Sequence, residues 1–130
     1  MLSSSLKGQG RSDHVGCVRT RQPVPQSCQF YHYEVKILSQ GGGGYIGVGF
    51  STWSSLLNAQ PGWQLDTLGY HGDDGRKYEA SGWGEEYGPT FTTGDVIGCT
   101  LSLQDRTCFF SKNGTNLGIA FTGQLEKKTT

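Results

Sequence analysis

Apolar residues in this chain recur with a period of two, in short runs separated by glycine, and no stretch carries the 3.6-residue period of an amphipathic helix. Alternation of this kind turns every second side chain to the same face, so each run buries that face only by joining a sheet packed against another layer. Tyr31, Tyr33, Val35 and Ile37 share one face, with His32, Glu34 and Lys36 opposite. After Ser39–Gly44, which reads as a turn, Ile46, Val48 and Phe50 resume the pattern, so the two runs predict a hairpin. Leu68–Tyr70 and Arg76–Ala80 flank the polar turn His71–Gly75. Ile97, Cys99, Leu101 and Leu103 alternate along Val96–Leu103, and Thr107–Lys112 answers them. Asn113-Gly114 is the residue pair of a type I′ turn and leads to Leu117, Ile119 and Phe121 on one face. Short strands at this spacing, without a βαβ unit, predict an all-β fold, an antiparallel β-sandwich of two sheets.

The remaining segments lack this regularity. Residues 1–16 are small and polar and read as a flexible N-terminal segment. In Arg19–Pro25 the residues Pro23 and Pro25 fix φ and withhold backbone donors, which favours an extended connector. Ser51–Trp63 reads as a long surface loop, with a short helical turn around Ser54–Asn58, and long loops on rigid scaffolds are where binding usually sits. One domain over residues 17–121 followed by a polar tail, 122–130, is expected.

The 21 glycines and the six Phe, six Tyr and three Trp suit a protein of many tight turns and a ring-rich core. Eleven Lys+Arg against eleven Asp+Glu leave no net charge, so the footprint that nucleic-acid binding or an anionic membrane surface requires is missing. No apolar run approaches the length of about 20 residues that crosses a bilayer, and the N-terminus lacks the apolar core of a signal peptide. A cytosolic or nuclear protein is expected from the sequence as written. Cys17, Cys28, Cys99 and Cys108 match no zinc-ligand spacing and are expected as reduced thiols. A hairpin turning at Gln104-Asp105 sets Cys99 opposite Phe110 and Cys108 opposite Leu101, which leaves the two thiols diagonal and beyond disulfide reach.

Tyr31–Ile37 (YHYEVKI), Gly44–Ser51 (GYIGVGFS), Pro61-Gly-Trp63, Gly69–Gly75 (GYHGDDG), Tyr87–Gly98 (YGPTFTTGDVIG) and Thr107–Phe121 (TCFFSKNGTNLGIAF) resemble successive motifs of the SPRY domain, most nearly the RanBPM type. The resemblance runs over about residues 7 to 121 and implies a non-enzymatic module whose loops grip a short segment of a partner protein. It further implies a monomer without cofactor, acting as adaptor, scaffold or substrate receptor in a ubiquitin-ligase assembly. Carried over position by position, the implied surface comprises Arg19, Arg21, Pro23 and Pro25 in the connector, Tyr45, and Tyr70, His71, Asp73 and Asp74 around the polar turn, with Trp53 and Trp63 in the long loop. Family members continue past the position of Phe121 with strands that complete both sheets, so a sandwich incomplete at the C-terminus, with an unpaired sheet edge, is expected. A stand-alone SPRY domain is also similar in architecture to effectors that plant-parasitic nematodes secrete into host cells, which would require an upstream signal peptide. A fragment without binding activity is the other alternative.

Several motifs invite a chemical reading. Gly42-x-Gly44-x-x-Gly47 matches the dinucleotide fingerprint, but a strand follows it where pyrophosphate needs a helix N-terminus. His71, Asp73 and Asp74, with Glu79, Glu85 and Glu86 nearby, could form an acid/base pair or a calcium site; no EF-hand spacing is present, and a solvated Asp-Gly turn is the commoner use. No Gly-x-Ser-x-Gly elbow supports a hydrolytic triad. Asn113-Gly-Thr115 is a glycosylation acceptor only in a secreted chain, and the hairpin already explains it. Tyr31, Tyr33, Phe109, Phe110 and Phe121 could stack bases, but they lack interleaved cations and read as core. Trp83 reads equally as loop packing or as an exposed anchor.

Overall fold

A computed structural model describes residues 2–8, 16–25, 27–41, 44–52, 61–62 and 67–123. Its strands are β1 (Leu2–Gly8), β2 (Gly16–Arg19), β3 (Phe30–Lys36), β4 (Gly47–Thr52), β5 (Thr67–His71), β6 (Arg76–Glu79), β7 (Glu85–Glu86), β8 (Val96–Ser102), β9 (Thr107–Lys112) and β10 (Thr115–Thr122). They form a six-stranded sheet in the order β2-β1-β4-β5-β6-β7 and a four-stranded sheet in the order β10-β9-β8-β3. Every pairing is antiparallel. Among the described residues no helix is long and apolar enough to cross a membrane.

The alternation read from the sequence becomes the core. Val48 and Phe50 of β4 and Leu68 and Tyr70 of β5 meet Ile97, Cys99 and Leu101 of β8 and Cys108 and Phe110 of β9, all fully buried. Tyr70 sits at the centre, with its ring 5.3 Å from that of Tyr87, 5.3 Å from Phe110 and 4.9 Å from Phe91. Cys99 faces Phe110 and Cys108 faces Leu101 across the β8–β9 ladder, and both thiols are free and buried. Burial pushes the Cys99 thiol up to about 12, so these cysteines behave as small hydrophobes.

The sequence expectation fails at four places. Tyr31–Leu38 and Tyr45–Phe50 do not form a hairpin: β3 pairs with β8, and β4 lies in the other sheet between β1 and β5. The connection crosses the sandwich because its first part is fastened to the smaller sheet and its last part to the larger. Ile37 N donates to Asp95 O at 2.9 Å and Ile37 O accepts from Gly94 N at 2.7 Å, whereas Ile46 O accepts from Gly72 N at 2.7 Å. Between them Gly41 and Gly44 take positive φ, 72° and 73°. The facing strands touch through Tyr33, whose hydroxyl donates to Gly49 O at 2.7 Å.

Second, Leu2–Gly8 is not a loose lead-in but a strand with partners on both sides, β2 and β4. A segment with little apolar content of its own is held there by two hydrogen-bonded ladders, a long-range effect that periodicity does not report. Third, Pro61 and Gly62, expected in a surface loop, are buried on the outer face of the larger sheet, where a Cβ on Gly69 would lie 1.9 Å from Pro61 O. The predicted helical turn around Ser54–Asn58 lies outside the described residues. Fourth, Ile119 points to solvent, at 58% exposure, while Ala120 and Phe121 are buried. The register of β10 against β9 shifts between Asn116 and Ile119 and again between Ile119 and Phe121, with Gly118 at φ 92°. A bulge of this kind reverses the facing of the residues beyond it.

Side chains fill the two irregular places of β10. Tyr87 Oη, just past β7, donates to Gly118 O at 2.5 Å and accepts from Phe110 N of β9 at 3.1 Å, and Lys77 Nζ of β6 donates to Ala120 O at 2.7 Å. Both carbonyls lie where the register shifts, so side chains satisfy backbone groups at the bulges of the β9–β10 ladder.

Candidate functional site

The strand registers decide which of the expected binding residues share a surface. Gly47 pairs with His71 at one end of the larger sheet, and Ser51 pairs with Thr67 at the other. Contacts between the sheets align these ends with those of the smaller sheet. Phe91 N donates to Gly72 O at 3.0 Å and Lys112 Nζ to Thr90 O at 2.9 Å, so the His71 end lies with the Val96 and Asn113 end. We term this the upper rim, and the end carrying Thr52, Thr67 and the β8–β9 turn the lower rim.

Arg19–Pro25 belongs to the lower rim. Arg19 closes β2 opposite Ser5, the chain runs on past that pair toward the Thr52 end, and Gln29 O accepts from Leu103 N at 2.8 Å beside the β8–β9 turn. Val24 is buried in the core, Pro23 is half-buried, and Arg21 and Pro25 are exposed. Thr20 Oγ1 donates to Gln22 O at 2.8 Å, and Cys28 N donates to Pro25 O at 3.3 Å. Two prolines around a buried valine therefore hold the connector in one path, with the Arg21 guanidinium outward. Trp53 and Trp63 lie outside the described residues.

Tyr45, Asp73 and Asp74 lie at the upper rim, away from that connector. Tyr45 is 47% exposed and precedes Ile46, whose bond to Gly72 sets it beside the polar turn. Tyr70 and His71, expected on the surface, are 0% and 1% exposed and offer no contact area to a partner. Tyr70 alternates inward, and its hydroxyl donates to Pro89 O at 2.5 Å. His71 alternates outward but is roofed by Pro61: its Nε2 lies 2.7 Å from Pro61 O, so that nitrogen carries the hydrogen, and its ring stacks on Tyr78 at 3.9 Å. One exposed residue here escaped the sequence reading. Leu38 is 81% exposed, and its parity with His32, Glu34 and Lys36 was the available signal.

His71, Asp73 and Asp74 can each bring one ligand atom within 4.8 Å of the others. The arrangement is nonetheless spent on the turn itself. Asp74 Oδ1 accepts from Arg76 N at 2.9 Å, Asp74 Oδ2 accepts from Tyr78 Oη, and His71 Nε2 is given to Pro61. Burial and then the Asp74 hydrogen bond push the Tyr78 hydroxyl up to about 12. Beside this turn, Asp95 is held below the usual carboxylate range by hydrogen bonds from the Asn113 amide and Thr92 N, with the Lys112 ammonium 3.8 Å away. Asn113 is thereby a structural clip, since its Oδ1 also accepts from Val96 N at 2.8 Å.

Two antiparallel sheets packed face to face around one core define the class: an all-β sandwich. The SPRY domain family matches residues 30–128, and the chain belongs to that family. Similarity extends further within one branch of it. The chain is 54% identical over 122 residues to Ran-binding protein 9 of Xenopus laevis, covering 93% of this chain and 22% of that protein. It is 49% identical over 121 residues to the Ran-binding proteins 9/10 homolog of Drosophila melanogaster, covering 92% and 13%. With the Ran-binding protein M homolog of Arabidopsis thaliana it shares 40% over 104 residues, covering 80% and 22%. The chain thus spans about a fifth or less of the length of these relatives. A crystal structure of a human SPRY domain superposes with a TM-score of 0.76 at 33% identity, covering 89% of this chain and 74% of that one.

Proposed function

We propose that this domain is a non-enzymatic interaction module that holds a short segment of a partner protein at its lower rim, with Arg19–Pro25 as the gripping element. One observation carries the reading: buried Val24 and the flanking prolines fix the loop while Arg21 and Pro25 stay in solvent. A loop fixed beforehand loses little conformational entropy on binding. An exposed guanidinium presents forked donors to carboxylate or carbonyl oxygens of the bound segment. The SPRY resemblance and relatives named for binding Ran support the same class of function.

In this reading the chain is a monomeric adaptor or substrate receptor of the cytoplasm or nucleus, of use to a ubiquitin-ligase assembly. The secreted-effector alternative would use the same surface. Tyr45, Asp73 and Asp74 form a separate upper-rim patch and are not needed for this grip. Reversing one charge in a small interface removes the favourable pair and adds a repulsive one, so Arg21→Glu is expected to weaken partner capture by about tenfold or more. Its melting temperature should stay at the wild-type value because Arg21 is exposed. Full capture by Arg21→Glu would refute the assignment.

A further inference from the structure

Trp83 has no part in the lower-rim grip, and the structure resolves its two readings: it is 87% exposed. The indole stands on the turn between β6 and β7, at the rim of a groove of about 520 Å³ lined by Lys77, Glu79, Ser81, Glu85 and Phe121 among others. The groove lies at the flank of the sandwich, where β6 and β7 of the larger sheet face β10 of the smaller. The turn that carries the indole is pinned. Ser81 N donates to Gly62 O at 2.8 Å, Trp83 N donates to Ser81 Oγ at 3.0 Å, and a Cβ on Gly84 would lie 2.6 Å from Tyr78 Cζ. A large aromatic held out on a fixed support is the usual form of an interface anchor.

The charges of the groove select what binds there. Its lining holds two carboxylates, Glu79 and Glu85, and one ammonium, Lys77. That ammonium is already committed to Ala120 O at 2.7 Å and to the face of Phe121 at 5.7 Å, and it stands 3.9 Å from Glu85. The side chain of Glu85 is 80% exposed, and exposed Glu86 follows it. A guanidinium seated here would stack on the indole and fork to a carboxylate, while a phosphate or an acidic side chain would meet like charge. We propose that this groove is a second interaction surface, which takes a short segment of a partner protein presenting an Arg or Lys side chain to Trp83 and Glu85.

The test is an NMR titration of the whole chain with the peptide acetyl-Ala-Arg-Ala-Arg-Ala-amide, and with the same peptide carrying Gln in place of both Arg. The readouts are the Trp83 indole N–H resonance, assigned by its loss in Trp83→Phe, and the backbone amide of Gly84, which every variant keeps and through which Trp83→Ala is titrated. A saturable shift with the Arg peptide, weakened at least about fivefold in both Trp83→Ala and Glu85→Gln, is expected. Both side chains are exposed, so the two variants should keep the dispersed spectrum and melting temperature of the wild type. Failure of the Arg peptide to shift the indole would overturn the proposal. So would equal binding of the Gln peptide, or wild-type affinity in both variants.

Discussion

His71 is the residue on which sequence and structure part most clearly. A histidine beside two aspartates in a polar turn invites a surface or metal-binding role, yet it is buried beneath Pro61 and stacked on Tyr78. Glycine makes this possible, because the Pro61 carbonyl approaches the sheet where Gly69 has no side chain. Gly69→Ala would drive a methyl to within 1.9 Å of that oxygen, so the roof must lift or the strand must shift. A loss of about 2 kcal/mol or more in urea unfolding is expected. Tyr78→Phe keeps the stack on His71 but removes the hydroxyl donated to Asp74. Its expected cost is smaller, about 1 kcal/mol, read in the same measurement.

Among the elements, alternation made β3, β4 and β8 legible in the sequence, and the polar turn His71–Gly75 and the strand answering β8 did the same for β5, β6 and β9. The β9–β10 turn was legible too, with Asn113 at φ 50° and Gly114 at φ 87° as a type I′ pair requires. Pairing was less legible than existence. Nothing local in Tyr31–Phe50 distinguishes a hairpin from a crossover between sheets, because the choice is made by distant bonds to Gly94, Asp95 and Gly72. β1 was missed for the same reason. Lys77 is a further long-range device, and Lys77→Met would leave the Ala120 carbonyl at the β10 bulge without its charged donor. A loss of about 1.5–3 kcal/mol in urea unfolding is expected from a hydrogen bond of this type. A variant as stable as the wild type would contradict this role.

For the molecule as a whole, titration should bound the stable range on both sides. Tyr33, Tyr70, Tyr78 and Tyr87 all have hydroxyls raised by burial, with Tyr87 at about 12. A raised folded-state value means that the stability these groups contribute is complete below the ordinary tyrosine value of about 10 and is lost as pH rises beyond it. Cooperative alkaline unfolding, seen as tyrosinate absorbance and loss of near-ultraviolet dichroism in one transition, is expected. Asp95 works in the opposite sense. Its lowered value gives stability that is present above about pH 4 and is lost as pH falls further. Asn113→Ala removes the largest cause of that shift, so it should flatten the acid side of the profile while lowering stability at neutral pH.

The residues that the sequence joins into one surface stand on two separate rims of the molecule. Residues close in sequence to a shared motif, such as Tyr45 and Asp73, stand at the end of the sandwich away from Arg21. The most direct test is quantitative affinity capture with the wild type, Arg21→Glu, and the double variant Asp73→Ala/Asp74→Ala. Proteins enriched by the wild type should fall by about tenfold or more with Arg21→Glu and persist with the double variant. Retention by Arg21→Glu, with loss in the double variant, would move the partner site to the upper rim and contradict the lower-rim grip.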